Sequence, residues 1–149
     1  MRALIQKVKK AEVRVDGQSV ASIDRGFLIF LGVGKEDSRQ EADKLWKKMS
    51  KLRIFEDEQG KTNLDLRAVD GQLLIVSQFT LYADCRRGNR PSFTDAAGAE
   101  KGKELYEYFV SLASMEFDRV ETGIFAADME VSLVNNGPFT IWLDTDDLA

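Results

Sequence analysis

The chain has 149 residues, 44% of them hydrophobic and 31% charged, with a net charge of −4. That is enough for one domain with its own core, and the acidity excludes a protein whose affinity comes from neutralising many phosphates along a duplex, while leaving room for one that grips a nucleic-acid end. It has no histidine and one cysteine, Cys85. This excludes Ser-His-Asp and Cys-His pairs, a histidine general base, His-containing or Cys-cluster zinc sites, and an intramolecular disulfide.

In chain order, "ALIQKV" (3–8) and "AEVRVDG" (11–17) read as short strands, with Val13 and Val15 alternating with Glu12 and Arg14. Asp16-Gly17 is a hairpin signal. "SVASI" leads into the continuous apolar run "GFLIFLGVG" (26–34), which suits a buried strand. "SRQE" forms a capping box, with Ser38 as N-cap and Glu41 three residues on. Ala42, Leu45, Trp46, Met49 and Leu52 then recur at helical spacing, which predicts an amphipathic helix over 39–53.

"DEQG" (57–60) reads as a turn, and Asp70-Gly71 as a second hairpin feeding a central strand, "QLLIVSQFTLYAD" (72–84). "CRRGNRPSFTD" (85–95) is a polar loop. Thr94 or Asp95 is placed to cap a helix running to about residue 114. "VETGIF" and "MEVSLVN" are strand-like, an Asn-Gly-Pro corner follows, and "FTIWLDT" restarts a strand before the solvated acidic tail "DTDD". The expected fold class is α+β: a strand-rich, mainly antiparallel, barrel-like sheet with two amphipathic helices in a single domain, 1–149. The N-terminus has no uninterrupted apolar leader and no run approaches the ~18 apolar residues of a membrane span, so no membrane association and a cytoplasmic location are expected.

Four stretches are candidates for chemistry. Cys85 stands before Arg86 and Arg87, which either activates the thiol or leaves an incidental cysteine at a strand end. Ser77, Gln78 and Thr80 lie within an apolar run. Gln78 and Thr80, two apart on one strand face, either bond across the sheet or floor a pocket. Arg86, Arg87 and Arg90, with Phe93 nearby, form either a solvated loop or a contact for a phosphate or a stacked base. In "VNNGPFT" (134–140), Pro138 blocks the ladder where a strand should restart, and the segment is either an ordinary turn or a backbone shape kept for chemistry.

"SQFTLYAD" (77–84), "NRPSF" (89–93) and "NNGPFT" (135–140) occur in this order in D-aminoacyl-tRNA deacylases, formerly called D-tyrosyl-tRNA deacylases. The opening "MRALIQKVKKAEVRVDG" and the span "FLIFLGVGKEDSRQEADKLWKKMSKLRIFEDEQGKTNLDL" also resemble that family, so the likeness covers essentially the whole chain. The resemblance implies hydrolysis of the ester joining a D-amino acid to the 3′-terminal ribose of tRNA, with glycine on tRNA as a further substrate. It implies a homodimer with active sites at the subunit interface, the aminoacylated tRNA 3′ end as partner, and no metal or organic cofactor.

Residue by residue, the resemblance gives Ser77, Gln78, Phe79 and Thr80 as the catalytic strand. It gives Gly137 and Pro138, joined by a cis bond in the family, as a chiral filter inserted into the partner's site, with Asn135 and Thr140 as flanking support. Arg86, Arg87 and Arg90 are candidates for tRNA contact. Thr80 has been viewed in the family as a nucleophile. A threonine hydroxyl needs a base that a histidine-free chain does not readily supply, so backbone N–H groups near Phe79 and Thr80 are the better expectation, with the ribose 2′-OH helping to activate water. Family members often carry Arg after the glutamine of the first strand, where this chain has Lys7, which lacks Arg's planar fork. The competing readings are a non-catalytic dimeric module that binds tRNA 3′ ends and a thiol enzyme using Cys85.

Overall fold

The computed structural model describes residues 1–149. Its longest pairing joins β1 (Arg2–Val15) to β8 (Glu130–Asp144), antiparallel from Arg2↔Asp144 to Arg14↔Glu130. The other edge of β1 is shared. Arg2–Val8 pairs with β3 (Gly26–Gly32), and Ala11–Val15 pairs with β2 (Gln18–Ile23). The two strands expected over 3–8 and 11–17 are therefore one strand. The gap between them is a register shift between Val8 and Lys10, where the buried set changes from Ala3 and Ile5 to Val8, Ala11 and Val13. Each set serves a different apolar cluster. The Asp16-Gly17 hairpin forms as expected, both residues having positive φ, 51° and 77°.

β3 and β6 (Gln72–Ser77) lie at the centre of the sheet and pair in parallel, as do β6 and β7 (Val120–Thr122). Asp70-Gly71 is thus no hairpin: it closes a turn in which the Gly71 N–H donates to the Leu66 carbonyl. A parallel pair needs a crossover, and the two helices belong to the two crossovers. α1 (Arg39–Met49) lies between β3 and β6, and α2 (Ala99–Glu116) between β6 and β7. The first crossover also holds the small hairpin β4 (Phe55–Glu56) and β5 (Thr62–Leu64), turned at 57–60.

The Ser38/Glu41 capping box is present, and Ala42, Leu45, Trp46 and Met49 are buried. α1 stops at Met49, short of 53, with Ser50 as its C-cap, and the chain then turns to bury Ile54 and Phe55. α2 begins later than expected, with Gly98 as N-cap instead of Thr94 or Asp95. Residues 95–97 are drawn instead onto the end of the β3 segment, the Lys35 N–H donating to the Asp95 carbonyl and the Ala97 N–H to the Val33 carbonyl.

The central strands are apolar on both faces because both are covered. On one side the helices pack Trp46, Phe109 and Phe117 edge to face against a cluster that includes Phe27, Ile29 and Ile75. On the other side the sheet nearly closes into a barrel around Val8, Val13, Leu28, Leu74 and Val76. The tail is not wholly solvated. Asp144 and Thr145 are buried, Asp144 pairs with Arg2 at 2.8 Å, and Thr145 Oγ1 accepts from the Met1 ammonium at 2.7 Å. No helix is long and apolar enough to cross a membrane.

Gly26 lies where β1, β3 and β6 meet, and a Cβ there would fall on the Gln72 backbone. Gly26→Ala is expected to destabilise the fold by about 3 kcal/mol, the upper range for overpacking. In thermal unfolding this appears as a fall in Tm of roughly 6–12 °C.

Candidate active site

β6 runs apolar from Leu73 to Val76 and stops at Ser77. The expected strand to residue 84 does not form: Phe79–Tyr82 is a 3₁₀ turn that leaves the sheet. Gln78 and Thr80 therefore do not share a strand face. They still meet, because Gln78 Nε2 donates to Thr80 Oγ1 at 2.5 Å. The Gln78 N–H reaches back to the Leu31 carbonyl at 2.8 Å, and the Leu81 N–H closes the turn on the Gln78 carbonyl at 3.2 Å.

The first N–H groups of any such turn have no acceptor within it. Here the Phe79 and Thr80 N–H groups find none elsewhere in the chain either, and both residues are exposed. Ser77, Gln78 and Phe79 line a cleft of about 500 Å³, a size that suits a small ligand or the end of a larger one. Its other walls are the start of α2, at Gly98 and Gly102, and the 125–131 segment, including Phe125, Asp128 and Met129. Sequence reading missed both walls. Neither wall carried a signal: a Cβ at Gly98 would meet open space, and one at Gly102 would make only ordinary contact with the Phe125 ring at 3.7 Å.

Thr80 Oγ1 is engaged as an acceptor from Gln78, and no hydrogen bond links it to a carboxylate. Phe79 is 54% exposed and meets Phe93 edge to face at 5.0 Å, which joins the cleft to the polar loop. That loop is cinched where Asp84 and Ser92 exchange two backbone hydrogen bonds. Arg86 is bound to Asp84 at 2.8 and 2.7 Å, and this pairing lowers the Asp84 carboxyl to about 2. Arg87 and Arg90 are exposed and outside any ion pair. Cys85 is exposed too, at the end of a shallow groove apart from the cleft.

"NNGPFT" is not a corner between two strands. It is a bulge inside β8. Val8 pairs with Asn135 and Gln6 with Thr140, so Lys7 alone faces residues 136–139. The extra residues are thrown outward, leaving Gly137 and Pro138 exposed. The Gly137–Pro138 bond is cis, and Gly137 has φ +140°, a value side-chain-bearing residues rarely adopt. Asn135 closes the base of the loop: its Oδ1 accepts the Phe139 N–H at 2.8 Å and its Nδ2 donates to Thr140 Oγ1 at 2.8 Å. Lys7 is buried beneath, its Nζ donating to the Ile54 carbonyl at 3.2 Å and lying 5.0 Å from the Phe139 ring centroid. Gly137 and Pro138 do not line this cleft, and β8 pairs only with β1, so its other edge is open.

Residues 4–144 match a family described as D-Tyr-tRNA(Tyr) deacylase. A relative from Dictyoglomus turgidum named D-aminoacyl-tRNA deacylase is 54% identical over 148 residues, covering 99% of this chain and 95% of that one. A relative of the same name from Thermotoga petrophila is 55% identical, covering 99% of each chain. Among solved structures, one named c-Myc DNA Unwinding Element Binding Protein superposes with a TM-score of 0.92 at 35% identity, covering 97% of this chain and 98% of that one. Another, described as a probable eukaryotic D-amino acid tRNA deacylase, shares the fold with a TM-score of 0.79 at 16% identity, covering 95% and 97%.

Asn135→Ala removes both bonds that close the loop. With about 1 kcal/mol per hydrogen bond, hydrogen exchange at the Phe139 amide is expected to speed up roughly tenfold or more, while exchange at the α1 amides stays unchanged.

Proposed function

Because the chain belongs to the D-aminoacyl-tRNA deacylase family, it is a hydrolase that cleaves the ester of D-aminoacyl-tRNA in translation proofreading, and we propose that it does so with backbone groups of the Phe79–Tyr82 turn. The observation that carries this mechanism is the pair of unpartnered N–H groups, Phe79 and Thr80, on a turn whose first residue lines the cleft, in a chain without histidine. Two such donors aimed at an ester carbonyl stabilise the oxyanion as it forms, and they need no proton transfer to do so. The neighbouring ribose 2′-OH of the substrate then assists the attacking water. The Thr80 hydroxyl serves as an acceptor for Gln78, which orients the turn. Family membership sets the non-catalytic alternative aside.

The occupant of the cleft is the aminoacylated 3′ end of tRNA, with Arg87 and Arg90 available for its phosphates and Arg86 already held by Asp84. The enzyme acts as a homodimer in which the 136–139 loop of one subunit enters the cleft of the other. Three facts support this: Gly137 and Pro138 are exposed, they stand outside their own cleft, and β8 leaves one edge unpaired and exposes Val134 and Trp142. Backbone carbonyls of the loop would occupy the space an L side chain needs. A D side chain points away from them and glycine has none, so D-aminoacyl and glycyl esters pass. A duplex-DNA role, which the name of one solved relative invites, is not supported by a chain with net charge −4.

With D-Tyr-tRNA and L-Tyr-tRNA as substrates, only the D ester should be hydrolysed, and equal rates would overturn the reading. Thr80→Val is expected to stay within about tenfold of the parent kcat, whereas loss of a nucleophile removes orders of magnitude more. Gly137→Ala, strained at φ +140°, should raise the L rate relative to the D rate. In mixed dimers, a subunit altered in the turn and one altered in the loop should form one intact D-selective site, an outcome that loops acting within their own subunit do not give.

A further inference from the structure

Once the chain leaves the sheet after Ser77, the ladder no longer holds the Phe79–Tyr82 turn. Donors that must meet an oxyanion to within a fraction of an ångström need a fixed support. One support is a seat. Gly32 and Gly34, at the end of β3, leave the space in which the turn lies. A Cβ on Gly32 would sit 3.1 Å from the Gln78 carbonyl oxygen and 3.1 Å from Leu81 Cβ, and one on Gly34 would sit 2.8 Å from Tyr82 Oη.

The second support is a clamp. Arg2 Nη1 donates to the Leu81 carbonyl at 2.9 Å, Arg2 Nε donates to Asp144 Oδ2 at 2.8 Å, and the guanidinium lies 4.3 Å over the Tyr82 ring. Tyr82 Oη in turn points to Asp37 Oδ2 at 3.4 Å, and the same carboxylate oxygen accepts the Gly34 N–H at 2.6 Å. Burial, followed by the Asp37 charge, pushes the Tyr82 phenol well above its ordinary pKa, so it stays protonated as a donor.

We propose that Arg2 is a positioning residue for the hydrolysis: it grips the Leu81 carbonyl and the Tyr82 ring and so sets the direction of the Phe79 and Thr80 N–H groups. It does not line the cleft and has no part in the chemistry itself. Its planar fork is essential to the role, because one group must reach a carbonyl and a carboxylate while stacking on a ring. Through Asp144 the same side chain ties the turn to β8, the strand that carries the 136–139 loop. The inference rests on the reading that the turn's N–H groups polarise the ester.

The test is steady-state and single-turnover hydrolysis of D-Tyr-tRNA by Arg2→Met and Arg2→Lys, with thermal unfolding of each. Arg2 is 31% exposed, so both variants should remain folded at the assay temperature, with a lowered Tm in Arg2→Met because the buried Asp144 loses its partner. Arg2→Met is expected to lower kcat about 10- to 100-fold with KM changed less than about twofold, the pattern of an interaction lost only in the transition state. Arg2→Lys should recover only part of the loss. Gly34→Ala, which pushes on Tyr82 from below, should give the same kcat-selective defect. Unchanged kcat in Arg2→Met overturns the proposal, as does a kcat loss that merely follows unfolding at the assay temperature. If Thr80→Val is dead while Arg2→Met shows the kcat-selective loss, the backbone mechanism fails and the positioning of the turn by Arg2 stands.

Discussion

The antiparallel pairing of β1 with β8 is the constraint on which the rest of the molecule depends. It is the longest ladder in the chain, and the larger of its two register shifts sets Lys7 against residues 136–139. A ladder that stays paired on both sides of a mismatch forces the surplus residues out of the sheet. The Gly137–Pro138 loop is therefore a product of register. Its base is closed by Asn135, and its underside is filled by the buried Lys7 and Phe139. The far end of the same ladder brings Asp144 beside Arg2, and from there the guanidinium reaches the turn at Leu81.

The site is assembled from main-chain geometry more than from reactive side chains. A chain without histidine has no ordinary general base near neutral pH, yet an ester is already activated enough for polarisation of its carbonyl to matter. In the proposed mechanism, N–H groups at the start of a short turn supply that polarisation without any change of charge state. The arrangement depends on rigidity, which explains the amount of structure spent on holding one four-residue turn: two glycines beneath it, an arginine beside it, and a tyrosine anchored to Asp37.

Much of this was legible in the sequence. The Ser38/Glu41 capping box and the Ala42, Leu45, Trp46, Met49 stripe place α1 because both signals are local. Asp16-Gly17 marks its hairpin for the same reason. Asp70-Gly71 misled because it is a turn signal with no statement about which strand follows on which edge. The run "QLLIVSQFTLYAD" reads as one strand because apolar residues continue through "FTLY". Only the seat at Gly32 and Gly34 shows why the chain turns away at Ser77. The cleft walls at Gly98, Gly102 and 125–131 escaped notice because their residues are small or apolar and carry no chemistry of their own.

The sequence by itself determined the kind of chemistry open to this protein. Absent histidines and a single cysteine remove the common catalytic pairs, because composition is a property of the chain before it folds, and three ordered motifs, by their resemblance to D-aminoacyl-tRNA deacylases, imply an ester hydrolase. Only the tertiary structure decided where that chemistry is held. Whether a backbone N–H is free depends on every acceptor around it, and whether Gly137 and Pro138 protrude depends on how residues 2–8 align with residues 135–144. These are long-range relations, the second between segments more than a hundred residues apart, and no local pattern encodes them.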